Sequence, residues 1–260
     1  VVGIGRSRST LEEALRLGLI DRIGACDAAT LGDADLVLLA TPVGQMPALM
    51  QAMAPFLGPS TAITDGGSTK SDVVAAVREY LPRHVARFVP AHPIAGAENS
   101  GAAAARADLY VARKVVLTPL PENEPEALAR VRAAWQACGA TVHEMTPEHH
   151  DRVFAAVSHL PHLLSYALVH DLAQRENRDE FFRFAAGGFR DFTRIAASHP
   201  EMWRDICIAN RQALLGELEH SQRQLEAERQ AQSRGAAAAL EAVFAEARTV
   251  RRAWAEGKLV

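Results

Sequence analysis

The sequence has few cysteines, little net charge and no long uninterrupted apolar run, and each shortage argues against a class of protein. Cys26, Cys138 and Cys207 form no CxxC pair, so we expect neither a disulfide framework nor a structural zinc site, but reduced thiols in a cytoplasmic protein. The net charge of −3 argues against a nucleic-acid partner held by an overall positive field. No apolar run approaches the ~18 residues of a membrane helix, so we expect no membrane partner.

The 260 residues are enough for one or two globular domains. Apolar runs of strand length alternate with helical patterns up to about residue 146. The predicted strands are residues 1–5, 36–40, 62–65, 88–91, 115–118 and 141–144. The predicted helices are one that opens on a capping box at 9–12 and ends at Gly18, one from about 69 to 81 and one from about 125 to 138. The alternation predicts an α/β domain with a mostly parallel sheet over residues 1–146.

The pattern changes after residue 146, beyond which no strand is predicted. Residues 148–176 have the pattern of a long helix that bends at Pro161. Pro200 and Gly235 separate further helices, the last from about 236 to 257. We therefore predict an all-helical second domain over residues 147–260.

Ligands of open parallel sheets bind at the carboxyl ends of the strands. Four predicted strand ends carry glycines, small hydroxyls, arginines or a histidine, and together they indicate a nucleotide crevice. The candidate cofactor-binding residues there are Arg6, Ser7, Arg8, Thr41, Pro42, Asp65 and Ser68.

The first of these strand ends lacks the GxGxxG phosphate loop, because position 8 is arginine. We interpret residues 1–5 as the second strand of a dinucleotide fold, where an acidic residue would bind the ribose 2′-hydroxyl of NAD. Arg6, Ser7 and Arg8 suit a 2′-phosphate instead, so NADP is the predicted cofactor and NAD is possible. The alternative is a solvated basic turn.

His92 follows a predicted strand, where a histidine can act as a general base near neutral pH. The alternative is a structural histidine that satisfies loop backbone groups. Ser68 ends the neighbouring strand and could orient the imidazole. An alternative role, compatible with the first, is a helix N-cap at Ser68 or Thr69.

The helical half also contains polar residues that could face a ligand. His159 and His162 have an HxxH spacing, but no HExxH pattern or carboxylate cluster completes a metal site, so we expect no metal. Arg194 can hold a carboxylate through two parallel hydrogen bonds. The alternative is a surface ion pair with Asp191 or Asp205.

Four segments together are far more specific than any nucleotide-fold signal: DGGSTK (65–70), HPIAGAENSG (92–101), SHLPH (158–162) and GGFRDFTRIAASHPEMWRDI (187–206). In order and spacing they resemble the prephenate/arogenate dehydrogenase family of tyrosine biosynthesis. The resemblance implies a Rossmann-like NADP-binding domain followed by an all-α substrate and dimerisation domain. It also implies an NAD(P)-dependent oxidative decarboxylation of prephenate to 4-hydroxyphenylpyruvate, or of arogenate to tyrosine.

The resemblance also implies roles for individual residues. His92 would accept the proton of the substrate's ring hydroxyl, Ser68 would bridge His92 and the cofactor, and Arg194 would hold a substrate carboxylate. The remaining residues implied in the substrate pocket are Ser158, His162, Gly187 and Trp203. The helical domain would form a homodimer.

The family begins with a strand and a GxGxxG turn about one βα unit upstream of Val1. Either that first βα unit lies outside the 260 residues, or the protein does not bind dinucleotide in the usual way; the intact remaining motifs favour the former. Two other functions stay open: another dehydrogenase with a helical domain, such as a β-hydroxyacid dehydrogenase, and a non-catalytic NADP-sensing scaffold. The first would call for a catalytic lysine in the helical domain. The lysines of the sequence are Lys70, Lys114 and Lys258, and none of them lies in a convincing site of that domain.

Overall fold

The computed structural model describes residues 1–96 and 101–258, which fall into two compact units, Val1–Leu214 and Leu215–Val260. The strands are β1 (Val2–Gly3), β2 (Arg22–Ile23), β3 (Leu36–Leu39), β4 (Ala62–Asp65), β5 (Phe88–Val89), β6 (Ala91–Pro93), β7 (Lys114–Leu117) and β8 (Thr141–Glu144). The helices that alternate with them are α1 (Arg8–Arg16), α2 (Ala28–Leu31), α3 (Met46–Met53), α4 (Ser71–Tyr80) and α5 (Pro125–Ala137). The α/β class predicted for this half is confirmed.

The strands form three short sheets. β1 pairs with β2, and β3, β4 and β5 follow one another, all in parallel. In the third sheet β7 pairs in parallel with β8 and antiparallel with β6. The single strand predicted over residues 88–91 is therefore divided at Pro90, which has no backbone N–H to donate to a ladder. Phe88 and Val89 pair with β4, whereas His92 pairs with Val116 of β7.

The first helix differs from its prediction at the start and agrees at the end. The predicted capping box at residues 9–12 is wrong, because the helix begins at Arg8 and the Ser7 hydroxyl accepts the bond from the Thr10 amide, 3.3 Å away. Gly18 follows the helix with a φ of +69°. Glycine adopts this left-handed conformation at little cost, so the prediction that it ends the helix is confirmed.

Buried apolar side chains cover both faces of the central strands, as continuous apolar strands predict. One cluster includes Met46, Met50, Ile63, Val77 and Phe88 beside Trp203 and Ile206, and the other includes Val89, Val115, Leu117, Val131 and Trp135. Trp203 and Ile206 lie well beyond residue 146, so the first cluster crosses the domain boundary predicted there. The division at residue 146 stays a prediction.

The chain after β8 is helical, as predicted. The helices are α6 (Pro147–Phe154), α7 (Leu160–Ala173), α8 (Arg178–Phe184), α9 (Gly187–Thr193), α10 (Pro200–Ala209), α11 (Arg211–Ser233) and α12 (Ala237–Ala255). A π-helical turn, Ala155–His159, joins α6 to α7. Leu160 separates it from Pro161, whose missing N–H interrupts the regular α-helical bonding.

This continuous helical segment, Pro147–Ala173, is long and apolar enough by length and composition to cross a membrane. A single helix of this kind is weak evidence for a membrane span, because the core helix of a globular protein has the same composition. His150 and His159, within the segment, are buried against neighbouring elements of the first unit.

Candidate active site

A cavity of about 690 Å³ opens where β3, β4 and β6 end and where α6, the π-helical turn and α10 approach them. Seven of the residues predicted to bind or react line it: Thr41, Pro42, Ser68, His92, Ser158, His162 and Trp203. Residues about 160 positions apart in the sequence therefore meet at one set of strand ends, as the rule for parallel sheets predicts.

His92 lines this cavity from β6. Its Nδ1 is 2.8 Å from Nε2 of His150, and its ring contacts the Phe154 ring with centroids 4.8 Å apart. Burial, together with the nearby Lys70 ammonium, lowers the pKa of His92 well below its usual range. His92 is therefore neutral at physiological pH, which is the form that a general base requires.

His150 and Asp151 extend this contact away from the cavity. His150 Nδ1 lies 2.9 Å from Asp151 Oδ1, and His150 is fully buried. The Asp151 carboxylate also accepts the backbone amides of Lys70 and Ser71, at 2.9 and 2.8 Å. Burial raises the pKa of Asp151, but the hydrogen bonds from His150, Ser71 and Lys70 outweigh it and lower the pKa to about 2.

Asp151 therefore caps helix α4, a role that the sequence had assigned to Ser68 or Thr69. That alternative is wrong: the helix begins at Ser71, and its N-terminal amides bond to a carboxylate 80 residues further along the chain. A negative charge is stabilised by the N-terminus of a helix, so the cap also helps to keep Asp151 ionised. Ser68 instead lines the cavity.

Asp65 was predicted to bind cofactor, but the structure buries it completely. Its carboxylate forms an ion pair with the equally buried Lys70 ammonium, and it accepts the amides of Gly67 and Ala91 at 2.8 and 3.0 Å. Lys70 also donates to the Ala91 carbonyl at 2.7 Å. Asp65 thus ties the end of β4 to the start of β6, next to His92, and has no surface left for a cofactor.

His159 lies on the far side of Asp151. Asn210 donates its amide to the Asp151 carbonyl at 2.7 Å and lies 3.1 Å from His159 Nδ1. Burial lowers the pKa of His159 to about 4. The second member of the predicted pair, His162, bonds to the Ser158 carbonyl and stacks on Trp203 instead. Among the described residues no group of three His, Cys, Asp or Glu side chains could hold a metal ion.

His162 forms the wall of the cavity together with Trp203. The two rings stack with centroids 3.5 Å apart and an interplanar angle of 17°. His162 Nδ1 donates to the Ser158 carbonyl at 2.8 Å. Burial lowers the pKa of His162, and the positive charge of Arg194 lowers it further. Arg194 itself is exposed and does not line the cavity.

Other predicted site residues lie outside the cavity. Arg6, Ser7 and Arg8 are exposed at the start of α1, where Ser7 caps the helix and Arg8 pairs with Glu12 at 2.8 Å. Gly187 is exposed at the first residue of α9. Residues 97–100 of the motif that follows His92 lie outside the described residues.

The cavity has features that suit a nucleotide cofactor at the strand ends. The Thr41 hydroxyl is buried, and no partner for it occurs among the residues that the structure describes. An unpaired buried hydroxyl at the end of β3 is ready for a ligand hydrogen bond. Pro42, Gly66 and Gly67 line the same cavity, and the two glycines have no side chains to fill it.

Parallel βα units with a neutral histidine in a strand-end cavity, followed by helices that complete it, fit a nicotinamide-dependent dehydrogenase. Two family models match the chain: the nucleotide-binding domain of prephenate dehydrogenase over residues 1–144 and its dimerization domain over residues 146–246. The chain belongs to the prephenate dehydrogenase family.

Individual relatives agree with this assignment. The chain is 39% identical to cyclohexadienyl dehydrogenase of Zymomonas mobilis over 217 residues, which cover 83% of this chain and 73% of the relative. It is 38% identical to prephenate dehydrogenase of Bacillus subtilis over 217 residues, 83% of this chain and 58% of the relative. The crystal structure of prephenate dehydrogenase from Aquifex aeolicus with hydroxyphenyl propionate and NAD+ superposes with a TM-score of 0.89 at 34% identity, covering 96% and 87% of the two chains.

Proposed function

We propose that the protein catalyses the oxidative decarboxylation of prephenate, of arogenate or of both, with His92 as the general base. The observation that carries the proposal is a neutral, buried His92 whose Nδ1 is already bonded to His150, so that Nε2 is the ring nitrogen left to take a proton. Relatives named cyclohexadienyl, prephenate and arogenate dehydrogenase support this substrate class.

In the proposed reaction, His92 takes the proton of the substrate's ring hydroxyl while hydride leaves the carbon that bears it. A bound nicotinamide supplies the hydride acceptor. The bond between the ring and its carboxylate then breaks, CO2 leaves, and the electron pair of that bond makes the ring aromatic. His92 can return its proton to the phenolic oxygen. Ser68 lines the same cavity as His92, and in this proposal it orients the imidazole and the cofactor.

We assign Arg194 to a substrate carboxylate and the stacked His162 and Trp203 rings to the pocket wall against which the substrate lies. Ser158 completes that wall, and Gly187 is proposed as a further residue near the bound substrate. The guanidinium already acts electrostatically on His162, at the edge of the cavity. An arginine binds carboxylate through two parallel hydrogen bonds, which a lysine or glutamine cannot reproduce.

Arg194→Gln should raise KM for the substrate at least about tenfold, the loss expected for one charge-assisted contact, with a smaller change in kcat. Initial rates at varied substrate concentration measure both. Arg190→Gln, an exposed arginine on neighbouring α9, is the matched control and should leave KM within twofold. An Arg194→Gln enzyme with the KM of the unchanged protein means that Arg194 does not bind the carboxylate.

We propose that the protein prefers NADP to NAD because Arg6, Ser7 and Arg8 can bind the 2′-phosphate. At the next strand end, Thr41 and Pro42 are proposed to contact the cofactor. Initial rates with prephenate or arogenate and with NAD or NADP, followed at the absorbance of the reduced nicotinamide, test substrate and cofactor together. We expect turnover with NADP, and Arg6→Asp should shift the ratio of kcat/KM values towards NAD. An unchanged ratio removes Arg6 from cofactor choice. No turnover in any of the four combinations favours the scaffold alternative.

We further propose a homodimer formed by the helical part and a cytoplasmic location. In the second unit, Leu225, Phe244, Val250 and Trp254 are more than half exposed, and large apolar side chains of this kind are typical of a protein interface. The match of residues 146–246 to a dimerization domain supports the same assignment.

A further inference from the structure

We propose that His150 and Asp151 act as positioning residues: together with His92 they form a hydrogen-bonded relay that selects the His92 tautomer and stabilises its protonated form. The proposal rests on the function proposed above, in which His92 is the base. It adds two residues that lie behind the cavity and touch no substrate.

The direction of the hydrogen bonds in the relay follows from Asp151, the one member that cannot donate. Asp151 is ionised and accepts two backbone amides of α4, so it can only accept from His150 Nδ1. The proton on His150 then lies on Nδ1, which leaves Nε2 as an acceptor. His92 Nδ1 must donate to that acceptor across 2.8 Å. His92 Nε2 is therefore left without a proton, as a base requires.

The relay also acts when His92 becomes charged. As the O–H bond of the substrate breaks and the Nε2–H bond forms, His92 becomes an imidazolium, and its Nδ1–H then donates to a neutral His150 that is itself bonded to a carboxylate. A charged donor makes a stronger hydrogen bond than a neutral one. No second proton transfer is needed, because the buried Asp151 charge stabilises the cation through the intervening ring.

The other charged and titratable groups around His92 oppose this effect. Lys70, before α4, lowers the pKa of His92 by its positive charge, and charge on His150 or on His159 of the π-helical turn acts in the same direction. Asp151, on α6, is the group that raises it. The relay thus retains basicity in a site whose burial and cationic neighbour would otherwise make His92 a very weak base.

The tautomer can be measured without any turnover. Nitrogen NMR of the protein with ¹⁵N-labelled histidine, assigned from the His92→Asn and His150→Asn spectra, should give His92 and His150 each a protonated Nδ1 and an unprotonated Nε2 at neutral pH. A proton on His92 Nε2 overturns the relay. This result stands whether or not the protein turns over prephenate, so it separates the relay from the proposed function.

Kinetics test the energetic part of the proposal. His150→Asn keeps an amide donor near Asp151 but removes the acceptor for His92, whereas His150→Gln can still place an amide oxygen near His92. We expect His150→Asn to lower the plateau kcat at least about tenfold, since base catalysis depends on the tautomer, with KM within a few-fold and a smaller loss in His150→Gln. The acid limb of kcat against pH should move to lower pH, because the imidazolium of His92 loses its partner.

A defect in folding alone would not move that limb. His149→Asn, the exposed neighbour on the same helix, and Thr146→Ala, which removes the cap of α6 (Thr146 Oγ1 to the His149 amide, 3.2 Å), are the controls. Both should keep the limb of the unchanged protein. If the limb of His150→Asn coincides with theirs, or if His150→Asn retains full kcat, His150 has no part in positioning the base.

Discussion

His92→Asn is expected to lower kcat by at least about 100-fold, the usual effect of losing a general base. Asparagine can still occupy the end of β6, but it cannot take a proton from the substrate hydroxyl. The cavity wall and the strand pairing with Val116 remain, so binding of the cofactor should change little. Steady-state rates and titration of the cofactor by protein fluorescence measure the two quantities separately.

The control for this variant is His143→Asn, which removes an exposed histidine from β8 of the same sheet. It should leave kcat unchanged within twofold. A His92→Asn enzyme within a few-fold of the unchanged protein removes His92 from the role of base. A loss of cofactor binding in parallel with kcat means that the variant damages the site as a whole.

Lys70→Met should destabilise the protein by about 3–5 kcal/mol, the cost of leaving a buried carboxylate without its cation. Asp65 and Lys70 are both fully buried, and their ion pair joins the end of β4 to the Ala91 carbonyl. The free energy of unfolding in urea measures the effect, provided that the transition stays two-state.

Two further variants separate the charge from the packing. Lys70→Met combined with Asp65→Asn removes the uncompensated carboxylate, so it should be more stable than Lys70→Met alone. Glu122→Gln breaks the exposed pair with Arg78 of α4, where the ion pair contributes at most about 1 kcal/mol. Equal losses for Lys70→Met and Glu122→Gln contradict the importance of the buried pair.

The sequence predicts the order and class of the elements better than their ends. The strand at residues 62–65 and the strand at 141–144 are found as predicted, because their apolar runs are bounded by turn residues. The strand at 88–91 is not, because only tertiary pairing decides that the chain changes partners at Pro90. β2 has two residues, Arg22 and Ile23, too few to produce any periodic signal.

The site residues also divide into those that local sequence predicts and those that only tertiary contacts reveal. His92, Ser68 and Trp203 could be named from motifs, and the structure brings them to one cavity. His150, Asp151 and Asn210 were missed, since each of them bonds to at least one residue more than 50 positions away. The available signal was a pair of polar residues at core positions of an amphipathic helix, and such residues are buried only when hydrogen-bonded. Asp65 was misassigned because a strand-end carboxylate has the same sequence context whether it binds a ligand or a buried lysine.

The π-helical turn has a consequence for insertions and deletions along this helix. A π-turn contains one residue more than the α-helical path between the same two ends, and each residue of an α-helix rotates the next by about 100°. Deleting exposed Val157 would therefore convert the turn to regular helix and keep the segments on either side of it, and with them His150 and His162, in the same relative orientation. A deletion within α6 or α7 would instead rotate His150, which bonds to His92 behind the cavity, against His162, which lines it, so the turn is where this helix can lose one residue.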